Sequence, residues 1–173
     1  MAEHRKLYWI NQFAEGNLAI MAAARSDELL EGTILAWQNE GVDIVVCLLE
    51  QPEMPNLIEA ERAFCEEFGL EFVSFPIRDK TVPASIDAFA NLARQLAGRI
   101  SAGKSVAIHC RAGIGRSTML AACVLIHFGI DAAVGLDMIA AARGTEVPET
   151  EAQRQWILSF GQTAQFQSAS FRP

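Results

Sequence analysis

Apolar residues along this chain keep two rhythms in alternation. Short unbroken runs, LYWI (7–10), LAIM (18–21), DIVVCLL (43–49), LEFVSF (70–75) and SVAIH (105–109), are rich in β-branched and aromatic residues and predict strands. The first two are separated by a Gly-Asn turn signal and predict a pair of short strands. Between the runs, apolar residues recur every three or four positions. Leu30, Ile34 and Trp37 follow Ser26, a candidate N-cap, and stop at Gly41. Leu57, Phe64 and Phe68 stop at Gly69, and Ile86, Phe89, Leu92, Leu96 and Ile100 lead through Gly103 into the SVAIH run. Residues 116–128 are apolar nearly all round, which predicts a buried helix, and 132–142 and 150–160 read as two more helices. The end of the chain, QTAQFQSASFRP (162–173), has no period and predicts a loosely held tail.

Helices alternating with apolar strands define the fold class as α/β. The expectation is a central, mostly parallel sheet of about four to five strands flanked by helices. With 173 residues and no internal repeat, a single domain spanning 1–173 is expected.

Composition narrows the possible partners. Hydrophobic residues make up 51% and charged residues 20%, enough to fill a core. The longest strongly apolar run, MLAACVLIHFGI, contains His127 and is too short to cross a bilayer, and the first residues lack the apolar centre of a signal peptide. Four cysteines without a CxxC pair suggest neither a zinc site nor a disulfide framework, so a reducing, cytoplasmic setting without metal or cofactor is expected. A net charge of -7 argues against nucleic acid or an anionic membrane as partner. Any anion site must be local.

One stretch supplies it. HCRAGIGRST (109–118) leaves the C-terminal end of a predicted central strand and enters a predicted helix, the place where open α/β sheets bind ligands. Backbone N–H groups of residues 111–115 (Arg111, Ala112, Gly113, Ile114, Gly115) can converge on an anion, with the helix N-terminus adding its positive dipole end. The same amides and dipole stabilise a thiolate at Cys110, and Arg116 offers a planar fork to phosphoryl oxygens.

HCRAGIGRS resembles the His-Cys-x5-Arg-Ser/Thr loop of cysteine-dependent tyrosine and dual-specificity phosphatases. With the short PIRDKTVP loop and the DIVVCLLE strand, it is most similar to the compact atypical dual-specificity branch, over about residues 17–160. The resemblance implies a nucleophile, Cys110, an Arg116 clamp, and a hydroxyl, Ser117, that helps the sulfur leave. It also implies an acid on a loop some 30 residues earlier. Asp79, 31 residues upstream and just past the preceding strand, fills that place, and Arg78 and Lys80 beside it would keep it ionised until the substrate dianion arrives. His109 is expected to support the loop by hydrogen bonding or to be a plain core residue. Gln153 could position the hydrolytic water, although Thr150 and Gln153 also have capping-box spacing. Cys47 ends a strand expected beside that of Cys110, which raises a reversible disulfide between them.

The implied activity is phosphomonoester hydrolysis through a phosphocysteine, without metal. Phosphotyrosine, and phosphoserine or phosphothreonine, in proteins are the expected substrates of a monomer. Phosphoinositide and inositol phosphate phosphatases stay open, although Arg111 and Ile114 stand where two lysines are usual in such loops. Rhodanese-like sulfur transfer, arsenate reduction and an inactive phosphate-binding module are the remaining alternatives.

Overall fold

The computed structural model describes residues 6–10, 15–24 and 29–169, of which 164–169 by backbone alone. Five strands, β1 (Tyr8–Ile10), β2 (Asn17–Ala22), β3 (Ile44–Cys47), β4 (Glu71–Ser74) and β5 (Ser105–Cys110), form one sheet in the order β1-β2-β5-β3-β4. Only β1 runs antiparallel, against β2; every other pair is parallel. The expected mostly parallel sheet is observed, because the crossover helices return the chain to start the next strand in the same direction.

β5 lies in the middle with all six residues buried, and its last residues pair with β2 and β3: Ala22 faces Cys110 and Cys47 faces His109. Strand alternation then decides which side chains share a face. Ile44, Val46, Leu48, Ile108 and Cys110 pack with α3 (Ile86–Ser101), α4 (Arg116–His127), α5 (Ala132–Arg143) and α6 (Glu151–Ala169). Val45, Ala107 and Met21 pack with α1 (Leu30–Asn39) and α2 (Leu57–Glu67), and Cys47 joins Ala23, Leu49 and Ile58 on that same side.

The helix patterns hold with adjustments. Phe89, Leu92, Leu96 and Ile100 are buried as the α3 stripe requires, but Ile86 is 57% exposed because it occupies the first turn, ahead of the packed surface. Ser85 caps α3 by accepting the Ala88 N–H at 3.2 Å, and Asp131 caps α5 by accepting from Ala133 and Val134. Ser26 lies outside the described residues. The backbone of α6 runs past the expected end near residue 160 to Ala169, since the Gln- and Ala-rich sequence there contains no breaker, and residues 170–173 lie outside the described residues. Among the described residues no helix is long and apolar enough to cross a membrane.

Parallel strands deliver the loops after β3, β4 and β5 to one end of the sheet. The chemistry-bearing residues 50–53, 78–81 and 110–117 meet there.

Candidate active site

The loop between β5 and α4 owes its shape to two contacts with its surroundings. Gly113 has φ 67 and lies so close to β2 that a Cβ would sit 2.5 Å from the Met21 carbonyl carbon, so only glycine fits. Arg143, at the end of α5, donates from Nε to the Gly113 carbonyl at 3.1 Å and from Nη2 to the Ala112 carbonyl at 3.3 Å. With those carbonyls turned outward and bonded, the loop's amides face the other way, as an anion cradle needs.

Cys110 is 3% exposed at the mouth of this cradle. Its sulfur lies 3.5 Å from Ser117 Oγ. Burial pushes the thiol pKa up. The Ser117 hydroxyl, the N–H groups of Ser117 and Ile114 and the charge of Arg116 outweigh it, so the pKa falls below the ordinary thiol value.

Arg116 opens α4, yet its guanidinium is buried and nearly fully bonded. Nη1 donates to Glu53 Oε2 at 2.6 Å and to the Ile77 carbonyl at 2.8 Å; Nη2 donates to Glu53 Oε1 at 2.8 Å and lies 2.9 Å from Asp79 Oδ1. Its outer fork is therefore spent on Glu53. The edge left toward the loop is Nε with Nη2, and Asp79 shares Nη2.

Asp79 stands in a tight turn in which the Thr81 N–H donates to the Arg78 carbonyl at 3.2 Å. Arg116, rather than Arg78 or Lys80, is the cation on its carboxylate; Lys80 Nζ lies 3.8 Å from Glu149. Gln153 closes the arrangement from α6. Its Oε1 accepts the Thr150 N–H and its own N–H donates to Thr150 Oγ1, both at 3.2 Å, the reciprocal capping box its spacing allows. Its Nε2 also donates to the Thr81 carbonyl at 3.2 Å, and its amide abuts Gly115, so it bridges the Asp79 turn and the phosphate loop.

Residues 21–130 match the family model described as polymorphic toxin system, DSP-PTPase phosphatase. The chain belongs to this phosphatase family. The chain is 33% identical over 119 residues to protein tyrosine phosphatase domain-containing protein 1 of Mus musculus, covering 62% of the chain and 16% of that protein. It is 26% identical over 114 residues to cyclin-dependent kinase inhibitor 3 of Rattus norvegicus, covering 65% and 51%. The chain thus spans about half or less of the length of these relatives. Its fold is that of the crystallised kinase associated phosphatase carrying serine for its catalytic-site cysteine, with TM-score 0.79, 18% identity and 95% and 98% coverage.

Of the two alternatives for His109, the core one matches its surroundings: strand alternation turns its ring to the face of the sheet opposite the loop, where Glu61 Oε1 lies 2.9 Å from Nε2. Cys47 points to that same opposite face, while Cys110 belongs to the α3 and α4 side, and both are free thiols, so the observed arrangement does not pair them.

Reading the sequence missed Glu53, Arg143 and Glu61. Glu53 had a signal, since Glu50 and Glu53 form a capping box around a short 3-10 turn (Gln51–Glu53) directly after β3. Glu61 had one too: it falls on the buried stripe of α2 with Leu57, Ile58 and Cys65, where a carboxylate is out of place. Arg143 had none beyond closing its helix.

Proposed function

We propose that the domain hydrolyses phosphomonoesters, with phosphotyrosine and also phosphoserine or phosphothreonine of proteins as the substrates it serves. The single observation that carries this reading is the convergence on one Arg116 guanidinium of the Cys110 loop and the Asp79 carboxylate. Cys110 attacks phosphorus as a thiolate; the S–P bond forms as the P–O ester bond breaks, and Asp79, protonated from solvent once the substrate dianion displaces it from Arg116, gives that proton to the departing oxygen. Amides of residues 111–115, with Arg116 Nε and Nη2, hold the equatorial oxygens as charge spreads over them. Water then attacks the phosphocysteine and gives a proton to Asp79, and the S–P bond breaks to return the thiolate, which Ser117 stabilises. Gln153, fixed beside Gly115, stands where it can orient that water.

A reducing, cytoplasmic setting suits a reaction carried by a free thiolate, and four free cysteines fit it. A monomer suffices, because every group named comes from one chain. The loop favours protein substrates over polyphosphorylated lipids because Arg111 and Ile114 offer one cation where two would grip extra phosphates.

A phosphate-release panel tests the reading: phosphotyrosine, phosphothreonine, phosphoinositide and inositol phosphate substrates, with Cys110→Ser as control. Vanadate-sensitive, EDTA-insensitive release from the phosphopeptides, absent from the control, is expected. Release that survives Cys110→Ser refutes the mechanism, and release from the inositol substrates alone refutes the substrate class. Thiosulfate or arsenate turnover without phosphate release would assign sulfur or arsenic chemistry instead.

A further inference from the structure

Behind the sheet, on the face turned away from the phosphate loop, three side chains with reactive atoms are shut in together. Glu61 comes from α2, His109 from β5 and Cys47 from β3; all are buried, and one donor atom from each lies within 4.8 Å of the others. Glu61 and His109 side chains are 1% and 0% exposed, with Oε1 and Nε2 2.9 Å apart. The two atoms are within hydrogen-bond distance, although neither that oxygen nor either ring nitrogen has a well-directed hydrogen bond among the described residues.

Such a pair needs a reason. Leucine on this stripe would fill the space with no desolvation cost, whereas a buried ion pair often contributes no net stability over an apolar replacement. The groups facing the ring leave Glu61 as its one carboxylate among the described residues, beside the Cys47 thiol. β3 presents Cys47, β2 presents Met21 at the register position opposite, and α1 presents Trp37, whose ring centroid is 6.4 Å from that of His109. Cys65, the other titratable group on the buried stripe of α2, is a neutral thiol: burial and then the nearby Glu61 push its pKa up to about 12. Burial alone would discharge His109, but the charge of Glu61, with Cys47, holds its pKa well above that of an ordinary imidazole.

His109 precedes Cys110 on β5 with its ring on the opposite face of the sheet, so the Glu61–His109 pair lies across the strand from the sulfur, with the Glu61 end set back on α2. We propose that Glu61 is a positioning residue of the phosphatase: it holds the His109 ring charged and fixed behind Cys110, so that the sulfur is poised as a thiolate. The catalytic consequence rests on the function proposed above; the effect on the thiol does not.

The test is the pH dependence of Cys110 alkylation by iodoacetamide in the full chain, with Cys110→Ser as blank. In Glu61→Gln the midpoint rises by about one pH unit, so alkylation on the acid side slows about tenfold, while Glu61→Asp restores most of the wild-type profile. A Gln variant that unfolds cooperatively and keeps the wild-type midpoint overturns the proposal, since a merely structural Glu61 would lower Tm and leave the midpoint alone. If the Gln variant does not fold, 15N spectra of the wild-type ring decide: both nitrogens protonated at about pH 7.5 supports the proposal, and a neutral ring overturns it. One equivalent of bound zinc that displaces the ring proton also overturns it, by making the cluster a metal site. Wild-type protein with an acid-shifted alkylation midpoint but no phosphate release would refute the function reading and leave the Glu61 proposal standing.

Discussion

Replacing Glu53 by Gln removes the negative half of the pair that anchors Arg116, and the geometry sets the size of the effect. The two side chains are 11% and 2% exposed and share two short contacts, 2.6 and 2.8 Å. Deleting one partner of a buried pair costs about 3–5 kcal/mol because the other charge is left in low dielectric. Asp79 and the Ile77 carbonyl still reach the guanidinium, which places the cost at the low end, about 3 kcal/mol. For a domain of this size that lowers Tm by about 6–12 °C, measurable by thermal unfolding at about pH 7. Acid supplies a second reading. Burial pushes the Glu53 carboxyl pKa up, but hydrogen bonds from Arg116 and the Glu50 N–H outweigh it and hold the folded value below 4.5. A folded value below the unfolded one means stability that is complete above the unfolded pKa and lost as pH falls through the folded pKa. The gap between wild-type and Gln melting curves therefore closes from about pH 5 downward. A Gln variant melting within about 2 °C of wild type, or a gap that stays constant into acid, would refute the reasoning. Loss of the anchor also lets the guanidinium swing, so kcat/KM falls about 100-fold.

The remaining predictions concern the reaction. Asp79→Asn lowers kcat on a phosphotyrosine peptide by about 10²–10⁴-fold with a smaller change in KM, checked by initial-rate kinetics. Because the Cys110 pKa is lowered and the thiolate is the reactive form, kcat/KM rises with pH through a limb below the ordinary thiol range; a limb at or above that range contradicts the cradle. Gln153→Ala leaves the Thr150 N–H without its Oε1 acceptor, costing about 1 kcal/mol in a denaturant melt, and releases the Thr81 carbonyl, so kcat drops about tenfold. Arg143→Ala frees the Ala112 and Gly113 carbonyls and weakens inhibition by vanadate about tenfold, read from dose–response curves.

Local chemistry explains what was legible in the chain. Strand runs, glycine stops and the HCRAGIGRS loop are each written in fewer than a dozen neighbouring residues, so the order of elements and the positions of Cys110, Arg116 and Asp79 could be read directly. Partners far apart could not. Nothing around Arg143 announces that it will reach carbonyls 30 residues earlier, and nothing in the QPE turn says that its glutamate will meet a guanidinium 63 residues on. The face of Cys47 needed the register of β3 on β5: only with Cys47 opposite His109 does strand alternation put it on the side away from Cys110. α6 outran its expected end because a weakly amphipathic but breaker-free sequence stays helical when its first turns are packed.

The contacts that steady both catalytic loops come from one short region. Arg143 braces the phosphate loop, Glu149 faces Lys80, and Gln153 ties the Asp79 turn to Gly115, all within the end of α5 and the start of α6. That region lies wholly beyond residues 21–130, which hold the reacting groups. These braces therefore stand apart in the chain from Cys110, Asp79 and Arg116, so substitutions between residues 143 and 153 can shift how the two loops are held while leaving those three side chains unchanged.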